Sequence, residues 1–106
     1  MEISFETKEL RDLCEDETLA AAKLGFAVAE TLKNRLSDIR AAITIKDVLA
    51  GAPHLGVHNQ VDCYYFALGD KYSLVVVASH VSPRNDINGA TDWARVRRVC
   101  VMALEF

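Results

Sequence analysis

A chain of 106 residues with a hydrophobic share of 51% can form one compact domain with a single core. Such a core does not require a metal or disulfides for its stability. The formal net charge of −3 excludes a uniformly basic surface for nucleic acid. The charge is unevenly placed, however, because residues 71–106 carry five basic and three acidic side chains.

The first half of the chain predicts a short strand and then helices. Ile3 and Phe5 alternate as in a strand, and "TKELRDLCED" takes up helical spacing after them. From Glu17 to Ala42 apolar residues recur at intervals of three and four, which predicts one long amphipathic helix. Gly25 inside it costs about 1 kcal/mol relative to alanine, so we expect close packing there. A brief helical turn in "ITIKDVLAG" closes at Gly51.

The second half predicts strands. After a loop through "HLGVHNQ", the period changes to two or to continuous apolar runs in "CYYFAL", "YSLVVVASH" and "RRVCVMALEF". The segment "GDK" is short enough for a hairpin, whereas "VSPRNDINGATDWA" is a loop that ends in a helical turn. This order predicts an α+β fold, with an N-terminal strand and helices packed on one face of a small antiparallel sheet, as a single domain over residues 1–106.

Cysteine use and hydropathy favour a reducing, aqueous compartment. Cys14, Cys63 and Cys100 form no CxxC pair, so neither a disulfide framework nor a zinc site is predicted. The first residues do not have the pattern of a signal peptide, and the apolar stretches are too short to cross a bilayer. We expect a cytoplasmic protein with no cofactor, no bound metal and no membrane partner.

Five fragments stand in order across nearly the whole chain. They are "ISFETKELRDLCED", "LKNRLSDIRAA", "KDVLAG", "YSLVVVASH" and "DWARVRRVCVMALE". In amino-acid sequence and relative position they resemble the HigB-like, plasmid-maintenance killer-protein branch of the RelE/ParE toxin superfamily. The resemblance implies the RelE-like fold, whose sheet has a concave face. It also implies a toxin of a type II toxin–antitoxin system, neutralised by a cognate antitoxin of the helix-turn-helix type.

The resemblance also bears on activity. Relatives similar to RelE and HigB cleave mRNA in the ribosome without a metal, whereas relatives similar to ParE act on DNA gyrase, and the fold alone does not choose between them. We expect an mRNA interferase, an endoribonuclease whose further partners are the ribosome and mRNA. Two alternatives stay open: a catalytically silent antitoxin-binding module that acts in autoregulation, and a gyrase-directed toxin.

RNA cleavage by attack of the 2′-hydroxyl requires a base, an acid for the leaving oxygen and cations for the charge on phosphorus. His54 and His58 are the catalytic candidates, since HigB-like relatives place one functional histidine in this region; solvated surface residues are the alternative. His80 is a further candidate. The candidates for binding RNA phosphates are all basic: Lys71, Arg84, Arg95, Arg97 and Arg98.

Other interpretations of these residues remain. Strand alternation would place Arg97 and Arg98 on opposite sides, and pairing with the acidic N-terminal half is the alternative to RNA contact. The tyrosines that could stack on bases or transfer protons are Tyr64, Tyr65 and Tyr72. Trp93 is expected to anchor the core, and the cysteines of the predicted strands, Cys63 and Cys100, are expected to be small core residues.

Two departures from the family pattern favour the silent module. Relatives commonly carry an arginine after the tyrosine of "YSLVVVASH", where this chain has Ser73. Relatives also continue past the last strand into an acidic-Tyr-His ending, whereas this sequence finishes at Phe106. From the sequence we therefore expect one phosphate-binding cation and two functional side chains to be missing.

Overall fold

The N-terminal half forms one strand and three α-helices in a computed structural model that describes residues 1–79 and 91–105. The elements are β1 (Glu2–Phe5), α1 (Lys8–Glu15), α2 (Glu17–Leu24) and α3 (Phe26–Ala41). The Thr7 side chain accepts a hydrogen bond from the Leu10 amide at the start of α1, and the Asp16 side chain accepts one from Leu19 at the start of α2. These caps satisfy amides that have no partner within the helix.

The prediction of one long helix from Glu17 to Ala42 is wrong, because the segment is two helices separated at Gly25. Gly25 has φ 88° and ψ 155°, a backbone region open essentially only to glycine. A Cβ built on this residue meets no atom within 4 Å, so the close packing expected there is also wrong. Gly25 is needed for its backbone angles, which let α2 fold back against α3.

The C-terminal half completes a five-stranded sheet with the order β1-β5-β4-β3-β2. Its elements are β2 (His54–His58), β3 (Val61–Ala67), β4 (Ser73–Ala78) and β5 (Arg98–Glu105), with 3₁₀ turns at Ile45–Asp47 and Trp93–Arg95. The predicted α+β class is confirmed, but the sheet is mixed rather than antiparallel, because β1 runs parallel to β5. A parallel pair is possible here since the helices and all other strands connect the two.

The segment "HLGVHNQ" forms β2 and a hairpin turn, so its prediction as a loop is wrong. Asn59 and Gln60 have φ values of 49° and 68° and join His58 to Val61, which fits a two-residue type I′ turn. The usual signature of this turn is Asn-Gly, and glutamine in the second position obscured it. His54 and His58 consequently lie on a strand, which fixes the side to which each points.

The helices cover one face of the sheet. Leu32, Leu36 and Ile39 of α3 are buried against apolar side chains of β3, β4 and β5. Trp93 joins this core with 4% exposure and meets Tyr64 edge-on, with 4.8 Å between ring centroids, so its predicted role as a core anchor is confirmed. Within the described residues, these contacts leave the opposite face of the sheet without helices.

A smaller cluster lies on that opposite face. Cys63, Val75 and Val77 are buried there, and Cys100 and Met102 pack against them half-buried. The expectation of a core cysteine is confirmed for Cys63, while Cys100 is buried only in part. We call this surface the helix-free face.

We expect Gly25→Ala to lower the free energy of unfolding by about 1–3 kcal/mol, because a side chain is strained at these backbone angles even with open space around it. Urea unfolding followed by circular dichroism measures the change. Ala22→Ser, at an exposed position of α2, is the control and should stay within about 0.5 kcal/mol of the parent. A more stable Gly25→Ala variant would show instead that α2 and α3 merge into one helix.

Candidate catalytic site on the helix-free face

Strand alternation places both catalytic candidates on the helix-free face. His54 and His58 are four residues apart on β2 and so project to the same side. Gly56 lies between them and opposite Cys63, which belongs to the cluster on this face. Tyr65 lies opposite His54 and shares the side. The Cα atoms of the two histidines are about 13 Å apart along an extended strand, so they do not form one joint site.

His58 is paired with a carboxylate. Its Nδ1 atom lies 2.9 Å from Oε1 of Glu105, and the His58 side chain is 18% exposed against 45% for Glu105. A carboxylate beside Nδ1 favours the tautomer that carries hydrogen there. Nε2 then keeps its lone pair and is able to accept a proton.

The contact between His58 and Glu105 connects opposite corners of the sheet. His58 lies at the hairpin end of β2, whereas Glu105 lies opposite Ser73 at the far end of β5. In a flat sheet their Cα atoms would be about 25 Å apart, at about 3.3 Å per residue and 4.8 Å per strand. The sheet must therefore twist and bend strongly, and the register shift between Val75 and Val76 contributes to this. The helix-free face is concave along this diagonal.

His54 is held differently. Its ring stacks on Tyr65, with centroids 5.1 Å apart and planes inclined by 18°. Its Nδ1 lies 3.4 Å from the Ala52 carbonyl oxygen, which is a weak hydrogen bond at most, and the side chain is exposed. The Tyr65 hydroxyl donates to the Val57 carbonyl at 3.2 Å. The neighbouring Cys63 thiol and partial burial raise the pKa of Tyr65, so its hydroxyl stays protonated at neutral pH.

The described basic candidates do not all lie at one place. Lys71 is exposed in the loop between β3 and β4, and Arg95 is exposed in the 3₁₀ turn before β5. Arg84 and His80 lie outside the described residues. The described basic candidates are thus distributed over separate connections of the sheet.

Two arginines at the start of β5 contact other groups of the protein. Arg97 donates to the carbonyl oxygen of Ala94 at 2.8 Å. Arg98 Nε lies 3.0 Å from Oε2 of Glu2, with 63% and 77% of the two side chains exposed. This is the expected pairing with the acidic N-terminal half. Because exposed pairs contribute at most about 1 kcal/mol, Arg98 is able to exchange Glu2 for a phosphate.

The three tyrosines have different surroundings. Tyr64 is buried in the main core, where desolvation raises its pKa, and Tyr72 is half-buried against the same core. Only Tyr65 lies on the helix-free face beside a candidate histidine. Ser73 is opposite Glu105 in the register.

Metal-binding side chains and thiols in the described part of the chain are the other groups that could carry chemistry. Within residues 1–79 and 91–105 no three side chains of His, Cys, Asp or Glu lie together as a metal site would require. Burial raises the pKa of the Cys14 thiol to about 11 and also raises the pKa values of Cys63 and Cys100. Few thiolates form at neutral pH as a result. No helix among these residues has the length and apolar character to cross a membrane.

No protein-family model matches the chain, and neither curated proteins nor solved structures match it significantly. Three features define the candidate site: the bonded pair of His58 and Glu105, the stacked pair of His54 and Tyr65, and the concave face that carries both.

Sequence reasoning missed Glu105 as a site residue. A signal was present, because Glu105 follows Ala103 at an interval of two in a predicted strand, and Ala103 packs on the helix-free cluster. The partner of Glu105 was not predictable in the same way. Its contact with His58 depends on the bend of the sheet, which places distant corners together.

We expect Cys14 in the folded protein to react with a thiol reagent at pH 8 at least about 100-fold more slowly than in urea, since a rise in pKa from 9.0 to about 11 lowers the thiolate fraction by that factor. Peptide mapping by mass spectrometry after timed labelling measures each cysteine separately. Equal rates in buffer and in urea would contradict the burial of Cys14.

Proposed function

We propose that this protein is a RelE/HigB-like toxin, an endoribonuclease that cleaves mRNA on the ribosome. The observation that carries the proposal is the His58–Glu105 pair, with 2.9 Å between its atoms, on a concave face free of helices. A carboxylate-oriented imidazole in an open concavity is an acid–base arrangement. The resemblance of the sequence to the killer-protein branch supplies the substrate and the partners.

In this proposal His58 transfers protons. Its Nε2 takes the proton from the 2′-hydroxyl as that oxygen attacks the adjacent phosphorus, and Glu105 stabilises the resulting imidazolium. The imidazolium then returns the proton to the leaving 5′-oxygen as the phosphorus–oxygen bond breaks. The products are a 2′,3′-cyclic phosphate and a 5′-hydroxyl. One residue serves as base and then as acid, so the distance between the two histidines is not an obstacle.

His54 has a binding role in the same proposal. Its exposed ring lies on Tyr65 and presents a flat surface on the helix-free face. Such a surface is suited to stacking against a splayed-out RNA base, and single-stranded RNA offers such bases. The proton transfer expected for both histidines from sequence is thus assigned to His58 alone.

Arg98 is the basic residue proposed to contact RNA phosphates. Arg98 is two residues before Cys100 on β5, so its side chain points to the same, helix-free side of the sheet. Its ion pair with Glu2 is exposed and therefore weak. Lys71 and Arg95 are exposed at other edges of the sheet and are proposed as contacts to ribosomal RNA.

The proposal includes a cytoplasmic location and a cognate antitoxin of the helix-turn-helix type. Both rest on the resemblance. An exposed apolar surface near the end of α3 supports the partner proposal: Ile43 and Leu49 are 73% and 81% exposed beside a groove lined by Ala41 and Ala42. Large apolar side chains exposed together are typical of protein contact surfaces.

A second candidate is a catalytically silent module that binds only the antitoxin. The observation that favours it is the position of Ser73 opposite Glu105. A hydroxyl and a carboxylate at this position do not supply the positive charge that binding of an RNA phosphate requires. Tight antitoxin binding without growth arrest on induction would establish this function.

We expect purified ribosomes translating a defined message to yield new 5′ ends within translated codons when the protein is added, as mapped by primer extension. His58→Ala should lower the cleavage rate by about 10²–10⁴-fold, because it removes the proton-transfer group. Glu105→Gln should lower it less, since the amide keeps a hydrogen-bonding group at Nδ1. Lys8→Ala, on the exposed side of α1, is the control. The absence of cuts from folded parent protein would favour the silent module.

We expect Glu2→Gln to lower KM for message cleavage, because it removes the carboxylate that competes with the RNA phosphate for Arg98. Arg98→Ala should raise KM, because it removes the cation that binds the phosphate. Arg11→Ala, an exposed arginine on α1, is matched in charge to Arg98→Ala. If all three variants cleave with the parent KM, Arg98 does not contact the message.

A further inference from the structure

We propose that Gly56 is a positioning residue of the candidate site, required so that the ring of Tyr65 can lie across β2 and hold His54. The inference rests on the proposed function for its consequence in RNA cleavage. Its steric part is independent of that function.

The first observation is steric. A Cβ built on Gly56 would lie 2.3 Å from Cε2 of Tyr65 and 2.9 Å from Cδ2, far inside van der Waals contact. Both atoms belong to the rigid ring, so a side chain at position 56 must displace the ring as a whole. Gly56 does not have a positive φ, and its need for glycine is therefore one of space rather than of backbone angles.

The second observation is the group that the Tyr65 hydroxyl reaches. The two-residue hairpin makes His58 and Val61 its closing hydrogen-bonded pair, so Val57 belongs to a pair whose backbone groups point away from β3. The Tyr65 hydroxyl reaches the Val57 carbonyl at 3.2 Å, which requires the ring to cross β2 completely. It crosses at Gly56, the one position of the strand without a side chain.

The third observation is what the crossing ring holds. It stacks on His54 at 5.1 Å, and along β2 it occupies the position between His54 and His58. With the described residues, the His54 imidazole forms only a weak backbone hydrogen bond, so the stack with Tyr65 is the main restraint that they provide. Loss of the crossing would release both rings of the stacking surface while leaving the pair of His58 and Glu105 in place.

The test is Gly56→Ala. Alanine in a strand ordinarily raises the thermal midpoint relative to glycine, so a lower midpoint here is the expected sign of the steric conflict. The ring protons of His54, shifted by the ring current of Tyr65, should move toward their free values in an aromatic NMR spectrum. Leu55→Ala, on the opposite side of the same strand, is the control and should leave those protons unshifted.

The background variant Tyr65→Ala makes the test specific. With the ring gone, adding Gly56→Ala should cause no further loss of stability and no further change in KM. If Gly56→Ala alone fails to fold but folds in the Tyr65→Ala background, the conflict with the ring is established. Failure in both backgrounds, or an unshifted His54 signal in Gly56→Ala, would overturn the inference.

In message cleavage, Gly56→Ala should raise KM by about tenfold through loss of base stacking and leave kcat within about twofold. A fall in kcat with unchanged KM would overturn the assignment of the stacked rings to binding. If the parent protein does not cleave and the His54 signal still moves, the positioning role stands and the nuclease proposal fails.

Discussion

The candidate site depends on the bend of the sheet. His58 and Glu105 are on strands that are not neighbours, and the register places them at opposite ends. Each strand rotates by roughly 20–25° relative to the next, so three steps set β2 nearly across β5 and bring one pair of diagonal corners together. The register shift at Val75 and Val76 adds to that rotation.

The same bend explains how the helix-free face buries apolar side chains. None of the described helices contributes to the cluster around Cys63, Val75 and Val77, yet these residues have exposures of 0%, 0% and 6%. On a concave surface the side chains of successive strands converge and cover one another. Tyr65 and Met102 complete the cover from the sides. The surface that carries the polar pairs is thus supported by a small core of its own.

Sequence patterns predicted the parts of this fold that local rules determine. The strand of Ile3, the strands from Cys63 onward and the anchoring role of Trp93 follow from alternation and composition. The break at Gly25 did not, because apolar spacing continues through a glycine whether the helix does or not. β2 was missed because Gln60 replaced the usual turn glycine and because its exposed side chains include Leu55 and Val57.

Only those features of the site that depend on a single strand could be predicted from the sequence. Once His54 and His58 are assigned to one strand, alternation predicts that they lie on the same side of the sheet. The residue that each histidine contacts, however, is determined by the tertiary structure. His54 meets the residue directly opposite, Tyr65, and His58 meets one three strands away. Register and bend, which decide both, depend on the packing of the whole domain.

For the proposed nuclease, the charge of the His58–Glu105 pair decides how much a cation at position 73 would contribute. With neutral His58 the pair carries one negative charge, which disfavours a nearby phosphate. In the proposed reaction, once His58 accepts the 2′-hydroxyl proton, the pair becomes neutral overall and presents a cation at the moment when negative charge on phosphorus increases. Two unit charges 4 Å apart interact by about 4 kcal/mol at an effective dielectric constant of 20. A cation that appears only with the transition state stabilises it selectively, whereas a permanent arginine at position 73 would also strengthen ground-state binding. In the proposed reaction, an arginine at position 73 would therefore add to RNA binding more than to the chemical step.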